Sequence, residues 1–215
     1  MSDTVQRIIV GGVLALIALA AALGQYLGFA TVRWLSLAVV AIMIIEMVAC
    51  MSRNRAALST RGNWAMCIGF LAWLFLMLVA VNRVGARPWI MLLLLLIICS
   101  ADIGAWFFGR ILRGDKMWER ISSNKTWSGQ IAGVLCGTAA AIMYGLLGTD
   151  KFLPQLMWIG ISVSLLSQYG DLTASWIKRR LGIKDFANIL PGHGGTLDRF
   201  DGWIYVLPII WLVML

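Results

Sequence analysis

Residues 88–109 read PWIMLLLLLIICSADIGAWFFG, with Asp102 as their single charged residue. A helix needs about 20 consecutive, mainly apolar residues to cross the hydrocarbon core of a bilayer. This run meets that length, and similar runs recur at 8–30, 34–52, 64–82, 130–148, 153–177 and 200–215. They predict an all-α chain, a polytopic membrane helix bundle of about seven transmembrane helices forming a single domain over residues 1–215.

Composition points the same way. The chain is 60% hydrophobic and 13% charged, with a mean hydropathy of +0.85, whereas soluble domains are about 45–50% apolar. A net charge of +8 would suggest nucleic acid in a soluble protein. Here the basic residues flank spans and set topology, so nucleic acid is not an expected partner. Cys50, Cys67, Cys99 and Cys136 lie in or beside apolar runs, with no C-x-x-C pair. They are expected to pack, not to form disulfides or bind zinc. Arg7 ahead of an Ala-rich run resembles a signal peptide, but the run is long for one and is expected to be a retained helix.

Orientation follows from the loops. Segment 53–63 carries Arg53, Arg55 and Arg61; segment 110–125 carries Arg110, Arg113, Lys116, Arg120 and Lys125; segment 178–199 carries Lys178, Arg179, Arg180, Lys184 and Arg199. Seven spans with the N-terminus inside put all three on the cytoplasmic side, as the positive-inside rule favours. The opposite loops hold Arg33, Arg83, Arg87 and Lys151.

Acids inside an apolar chain are costly and point to function. Glu46, Asp102, Asp171 and Asp201 fall in or at the edge of spans, toward their cytoplasmic ends, with Asp198 just before the last. Glu46 has a bland reading, pairing with the nearby basic loop. Asp198 and Asp201, at i and i+3, share a helix face near a helix start, where capping alone explains an acid. Converging with Asp171, they would instead hold a hard cation such as Mg2+, which binds through one or two carboxylates together with substrate phosphates. The turn Pro191-Gly192-His193-Gly194-Gly195 lies between Lys184 and Arg199. Its glycines would let backbone N–H groups approach a phosphate, and His193, the sole histidine, would add a hydrogen bond to it. Of the cluster closing the sixth span, Lys178 and Arg179 are expected to face the site. Basic clusters also serve topology alone.

Taken together, these residues resemble the phosphatidate cytidylyltransferase family. Its signature is matched by Ser175, Ile177, Lys178-Arg179, Lys184-Asp185, Pro191-Gly192-His193-Gly194-Gly195 and Asp198-Arg199-Phe200-Asp201. Upstream, Asp102 to Arg110, Asn124 to Gly129 and Asp171 to Ser175 are similar to further family segments, so the resemblance covers residues 95–215 as a catalytic half. Ser128 and Ala174 stand where the family has glutamates, Asn124 where it has lysine, and the chain is shorter than most members near its N-terminus.

The resemblance implies transfer of a cytidylyl group from CTP to phosphatidate, giving CDP-diacylglycerol and pyrophosphate, in the bacterial inner membrane with the site facing the cytoplasm. It implies Mg2+ on Asp171, Asp198 and Asp201. Catalytic roles fall on these with Lys184, His193 and Arg199, and substrate phosphates on Lys125, Lys178, Arg179, Gly194 and Gly195. A CTP-dependent lipid-alcohol kinase and a non-catalytic membrane paralogue stay open as alternatives. So does a homodimer. A transporter is disfavoured, because no inverted repeat is seen.

Overall fold

The computed structural model describes residues 3–147, 153–189 and 194–214. In chain order the elements are α1 (Asp3–Tyr26), α2 (Thr31–Arg53), a 3-10 turn (Ala57–Ser59), α3 (Arg61–Val84), α4 (Pro88–Leu112), β1 (Lys116–Trp118), β2 (Ser122–Thr126), α5 (Trp127–Leu146), α6 (Leu153–Arg180) and α7 (Trp203–Val213). The chain is thus an all-α membrane-type fold with seven α-helices among the described residues. Of these, α2, α3, α4 and α5 are long and apolar enough to cross a membrane.

Two expectations change in detail. The last span, expected over 200–215, is an 11-residue helix; at 1.5 Å per residue it reaches about 16 Å, roughly half a bilayer core. Residues 197–202 are held in turns instead. The loop 110–125 contains an antiparallel hairpin, with Lys116 opposite Thr126 and Trp118 opposite Ser122. Strands of three and five residues are too short to show a two-residue period.

The chain divides into two compact units, Met1–Pro88 with Trp176–Leu215, and Trp89–Ser175. In the first, α2 packs on α3 and α3 on α7. Val40, Met43, Met47 and Cys50 are buried along α2, and Cys67, Phe70, Leu74, Met77, Val81 and Val84 along α3. Both sets follow the alternating three- and four-residue steps of a single helix face. Pro208 interrupts α7. Lacking an N–H, it leaves the carbonyl four residues back without its helical donor. That carbonyl is Ile204's, and the Trp73 indole N–H donates to it at 2.8 Å.

The second unit relies on small residues. A Cβ added to Gly129 would lie 2.7 Å from the Ala105 carbonyl oxygen and 3.2 Å from Gly109 Cα, and one on Gly133 would lie 2.8 Å from the Ala101 carbonyl oxygen. The pairs 109/129, 105/129 and 101/133 run in opposite directions along α4 and α5. Each helix therefore presents a small-residue stripe at four-residue spacing. In lipid, where burial of apolar surface does not favour helix association, such close backbone approach does.

Candidate functional site

In the first unit the site begins where α6 ends. The Gly182 N–H donates to the Arg179 carbonyl at 3.1 Å and the Ile183 N–H to the Lys178 carbonyl at 3.0 Å. Gly182 takes φ +70°, the left-handed conformation that closes a helix in this pattern. The cap reverses the chain directly after the basic cluster and brings the next segment back beside α6.

Asp198 ties that return together. Its Oδ1 receives the Lys178 ammonium at 2.7 Å, and its Oδ2 accepts the backbone N–H groups of Phe186 at 2.9 Å and Gly195 at 3.1 Å. The two charged side chains are 11% and 4% exposed. Lys178 also lies 5.5 Å from the centre of the Phe186 ring, which stacks on Phe70. The Arg53 guanidinium donates to the Phe186 carbonyl at 3.1 Å. Signature residues twenty positions apart in sequence therefore meet as a buried ion pair, braced by the backbone N–H groups of Phe186 and Gly195.

The turn that carries Asp198 is anchored from α2. Glu46 is 1% exposed. Its Oε1 accepts the Thr196 N–H and its Oε2 the Leu197 N–H, each at 2.7 Å. The expected pairing of Glu46 with the basic loop therefore gives way to an anchoring role on these two N–H groups. The sequence signal available was a lone acid in an apolar run; its partners are backbone groups, which leave no trace in sequence.

Gly195 is required by this close approach. A Cβ there would lie 2.8 Å from Glu46 Oε2 and 3.1 Å from Ala187 Cβ. The carboxylate, held by two N–H groups, has little freedom to move. Gly195→Ala is expected to lower stability by about 1–3 kcal/mol, the usual cost of overpacking, measured as the thermal midpoint of the purified protein. An unchanged midpoint would contradict the packing.

The second unit holds Asp171 and Lys125. The Lys125 ammonium, on β2, pairs with Asp171 Oδ2, the side chains being 25% and 40% exposed. The Ser175 hydroxyl donates to Asp171 Oδ1 at 3.3 Å. Asp102 lies within electrostatic range of both Asp171 and Lys125. The Thr126 hydroxyl oxygen accepts the Gly129 N–H at 3.2 Å and so caps α5 just after the hairpin. Ser128, in place of a family glutamate, donates its hydroxyl to the Arg113 carbonyl. Ala174, in place of the other, is fully buried.

Of the remaining expected site residues, Lys184, Arg179 and Arg199 are exposed. Arg179 donates to the Ile183 carbonyl at 3.4 Å. Asp201 Oδ1 accepts the Gly202 N–H at 2.9 Å. Gly194 takes φ +82°. The Gly195 N–H is directed at Asp198, not outward. Pro191, Gly192 and His193 lie outside the described residues.

Carboxylate oxygens are donors of the type that Mg2+ takes. A carboxylate has about four lone-pair sites, and Asp198 uses three. Among the described residues no three His, Cys, Asp or Glu side chains of either unit form a cage.

A family model described as "Cytidylyltransferase family" matches residues 2–215. A phosphatidate cytidylyltransferase of Staphylococcus epidermidis is 34% identical over 166 residues, 77% of this chain and 63% of the relative. One of Brucella suis is 43% identical over 120 residues, 54% of this chain and 43% of the relative. The match thus covers less than two thirds of the length of either relative, 63% of one and 43% of the other.

Proposed function

The chain belongs to the cytidylyltransferase family, and on that premise we propose that it makes CDP-diacylglycerol from CTP and phosphatidate. A phosphate oxygen of phosphatidate attacks the α-phosphorus of CTP. The bond from that phosphorus to the bridging oxygen breaks, and pyrophosphate leaves with the electron pair. The supporting observation is the family match across residues 2–215, which takes in both acid clusters.

The residues divide the work. A phosphate monoester is largely ionised at neutral pH, its second pKa being about 6, so no strong base is required and catalysis rests on position and charge. Lys184, Arg179 and Arg199 are exposed cations that would bind the triphosphate or the lipid phosphate. Lys178 is neutralised by Asp198, so its first task is to hold the hairpin. Lys125 sits on Asp171 and is poised to exchange that partner for an incoming phosphate. His193 would donate to phosphate. Asp198 and Asp201 in the first unit, and Asp171 in the second, are each candidate carboxylate ligands for Mg2+, which when bound would neutralise nucleotide phosphates and the departing pyrophosphate. The basic bias of 53–63, 110–125 and 178–199 supports a cytoplasmic position for each of these segments, at a bacterial inner membrane.

The test is incubation of the purified protein with phosphatidate, CTP labelled at the α-phosphate, and Mg2+, followed by separation of the lipids. Labelled CDP-lipid with pyrophosphate is expected. Lipid phosphate with CDP would identify a kinase, and failure to bind CTP a non-catalytic paralogue. Asp171→Asn is expected to slow turnover about 100- to 1,000-fold, as loss of one electrostatic element does. It should shift stability by no more than about 1 kcal/mol, because the Lys125 pair is partly exposed. Full activity in Asp171→Asn would refute its role.

A further inference from the structure

Glu46 lies on α2, outside every signature segment, and no step of the proposed reaction uses it. It is nevertheless a carboxylate in an apolar environment, where burial without good partners costs several kcal/mol. Its partners are the Thr196 and Leu197 N–H groups, each at 2.7 Å.

These two donors open a helical turn. The Arg199 and Phe200 N–H groups both return to the Thr196 carbonyl at 3.0 Å, and the Ile204 N–H to the Asp201 carbonyl at 3.2 Å. The first N–H groups of such a turn have no partner within it. Capping is ordinarily done by a neighbouring side chain in the same segment. Here the capping carboxylate comes from 150 positions earlier. Gly195, immediately before the turn, directs its N–H to Asp198 Oδ2. Two carboxylates therefore bind three successive N–H groups, one from within the turn and one from α2.

We propose that Glu46 is a positioning residue for the Asp198–Asp201 turn. By capping Thr196 and Leu197 it fixes where that turn sits on α2, and hence where both aspartates point. Glutamine cannot replace it. An amide offers one acceptor oxygen, and its NH2 would face an N–H donor. Aspartate keeps both acceptors but is one methylene shorter. The inference rests on the cytidylyl-transfer reading for its activity readout and on geometry alone for its structural one.

The experiment compares Glu46→Gln, Glu46→Asp and Met43→Ala with the parent protein in detergent. Met43 is buried on the same helix and is not among the residues given a role in the proposed chemistry. Losing one hydrogen bond to a charged group corresponds to about 10- to 100-fold. Glu46→Gln is therefore expected to speed amide exchange across residues 194–204 and to lower kcat by that factor, with KM for CTP little changed. Glu46→Asp should retain part of both. Met43→Ala should lower the thermal midpoint without a matching loss of kcat.

Unchanged exchange at 194–204 in Glu46→Gln overturns the proposal. So does a kcat loss no greater than that of Met43→Ala at an equal drop in midpoint. Where Glu46→Gln fails to insert, Glu46→Asp is judged by the same two readouts. A parent protein that makes no CDP-lipid would sink the functional reading instead, and the exchange result would still decide the anchoring.

Discussion

Replacing Asp198 by asparagine is expected to abolish CDP-lipid formation and to destabilise the first unit by about 3–5 kcal/mol, the cost of breaking a buried ion pair from one side. The geometry explains why so small a change matters. If the amide oxygen keeps the Phe186 and Gly195 N–H groups, the NH2 faces the Lys178 ammonium. If the amide flips, its NH2 faces two N–H donors. Either way Lys178, only 11% exposed, loses its counter-charge. Adding Lys178→Met removes the stranded ammonium, and the amide can then satisfy both N–H groups. The double variant should recover stability to within about 1 kcal/mol of the parent, since apolar replacement of a buried pair is often neutral, yet remain inactive. Thermal unfolding and the labelled-CTP assay on the same preparations check both halves. Turnover in Asp198→Asn would remove the aspartate from the mechanism. A double variant as unstable as the single one would show that the ion pair does not explain the cost.

The pairing of Lys178 with Asp198 illustrates what was legible beforehand. The composition of residues 88–109 marks a membrane helix without any tertiary information, because the bilayer imposes length and apolarity on each span separately. The basic and acidic residues of 175–201 announce a site because charge is so scarce elsewhere. Their spacing, however, does not say which cation meets which acid. That depends on the cap at Gly182, which sets the direction of the returning chain. Three features were beyond local pattern. The short α7 follows from the turns over 197–202. The hairpin at 116–126 is too brief to show a period. Glu46 finds its partners among backbone N–H groups of a distant turn. In each case the deciding interaction is non-local, or is made by atoms that every residue carries.

The second unit yields the other large effect, and it tests the fold independently of any chemistry. Gly133→Leu is expected to prevent recovery of folded protein, and Gly133→Ala to lower stability by about 1–3 kcal/mol, as overpacking does. A Cβ at 133 meets the Ala101 carbonyl oxygen at 2.8 Å and Gln168 Nε2 at 2.5 Å. The Gln168 side chain can swing away, although it would then give up its 3.3 Å hydrogen bond to the Gln130 carbonyl. The Ala101 carbonyl belongs to the backbone of α4, so the helices themselves must part. Separation forfeits the close contacts that stand in for hydrophobic association in lipid. Gly69 provides the contrast. It lies within α3, and a Cβ there meets nothing within 4 Å. Gly69→Ala should be neutral, or stabilising by up to about 1 kcal/mol through helix propensity. The same chemical change thus carries opposite signs at two helical glycines, distinguished only by what faces them. Thermal midpoints of the two alanine variants, measured in one detergent, decide the matter. Equal midpoints would mean that α4 and α5 are not packed along their small-residue stripes.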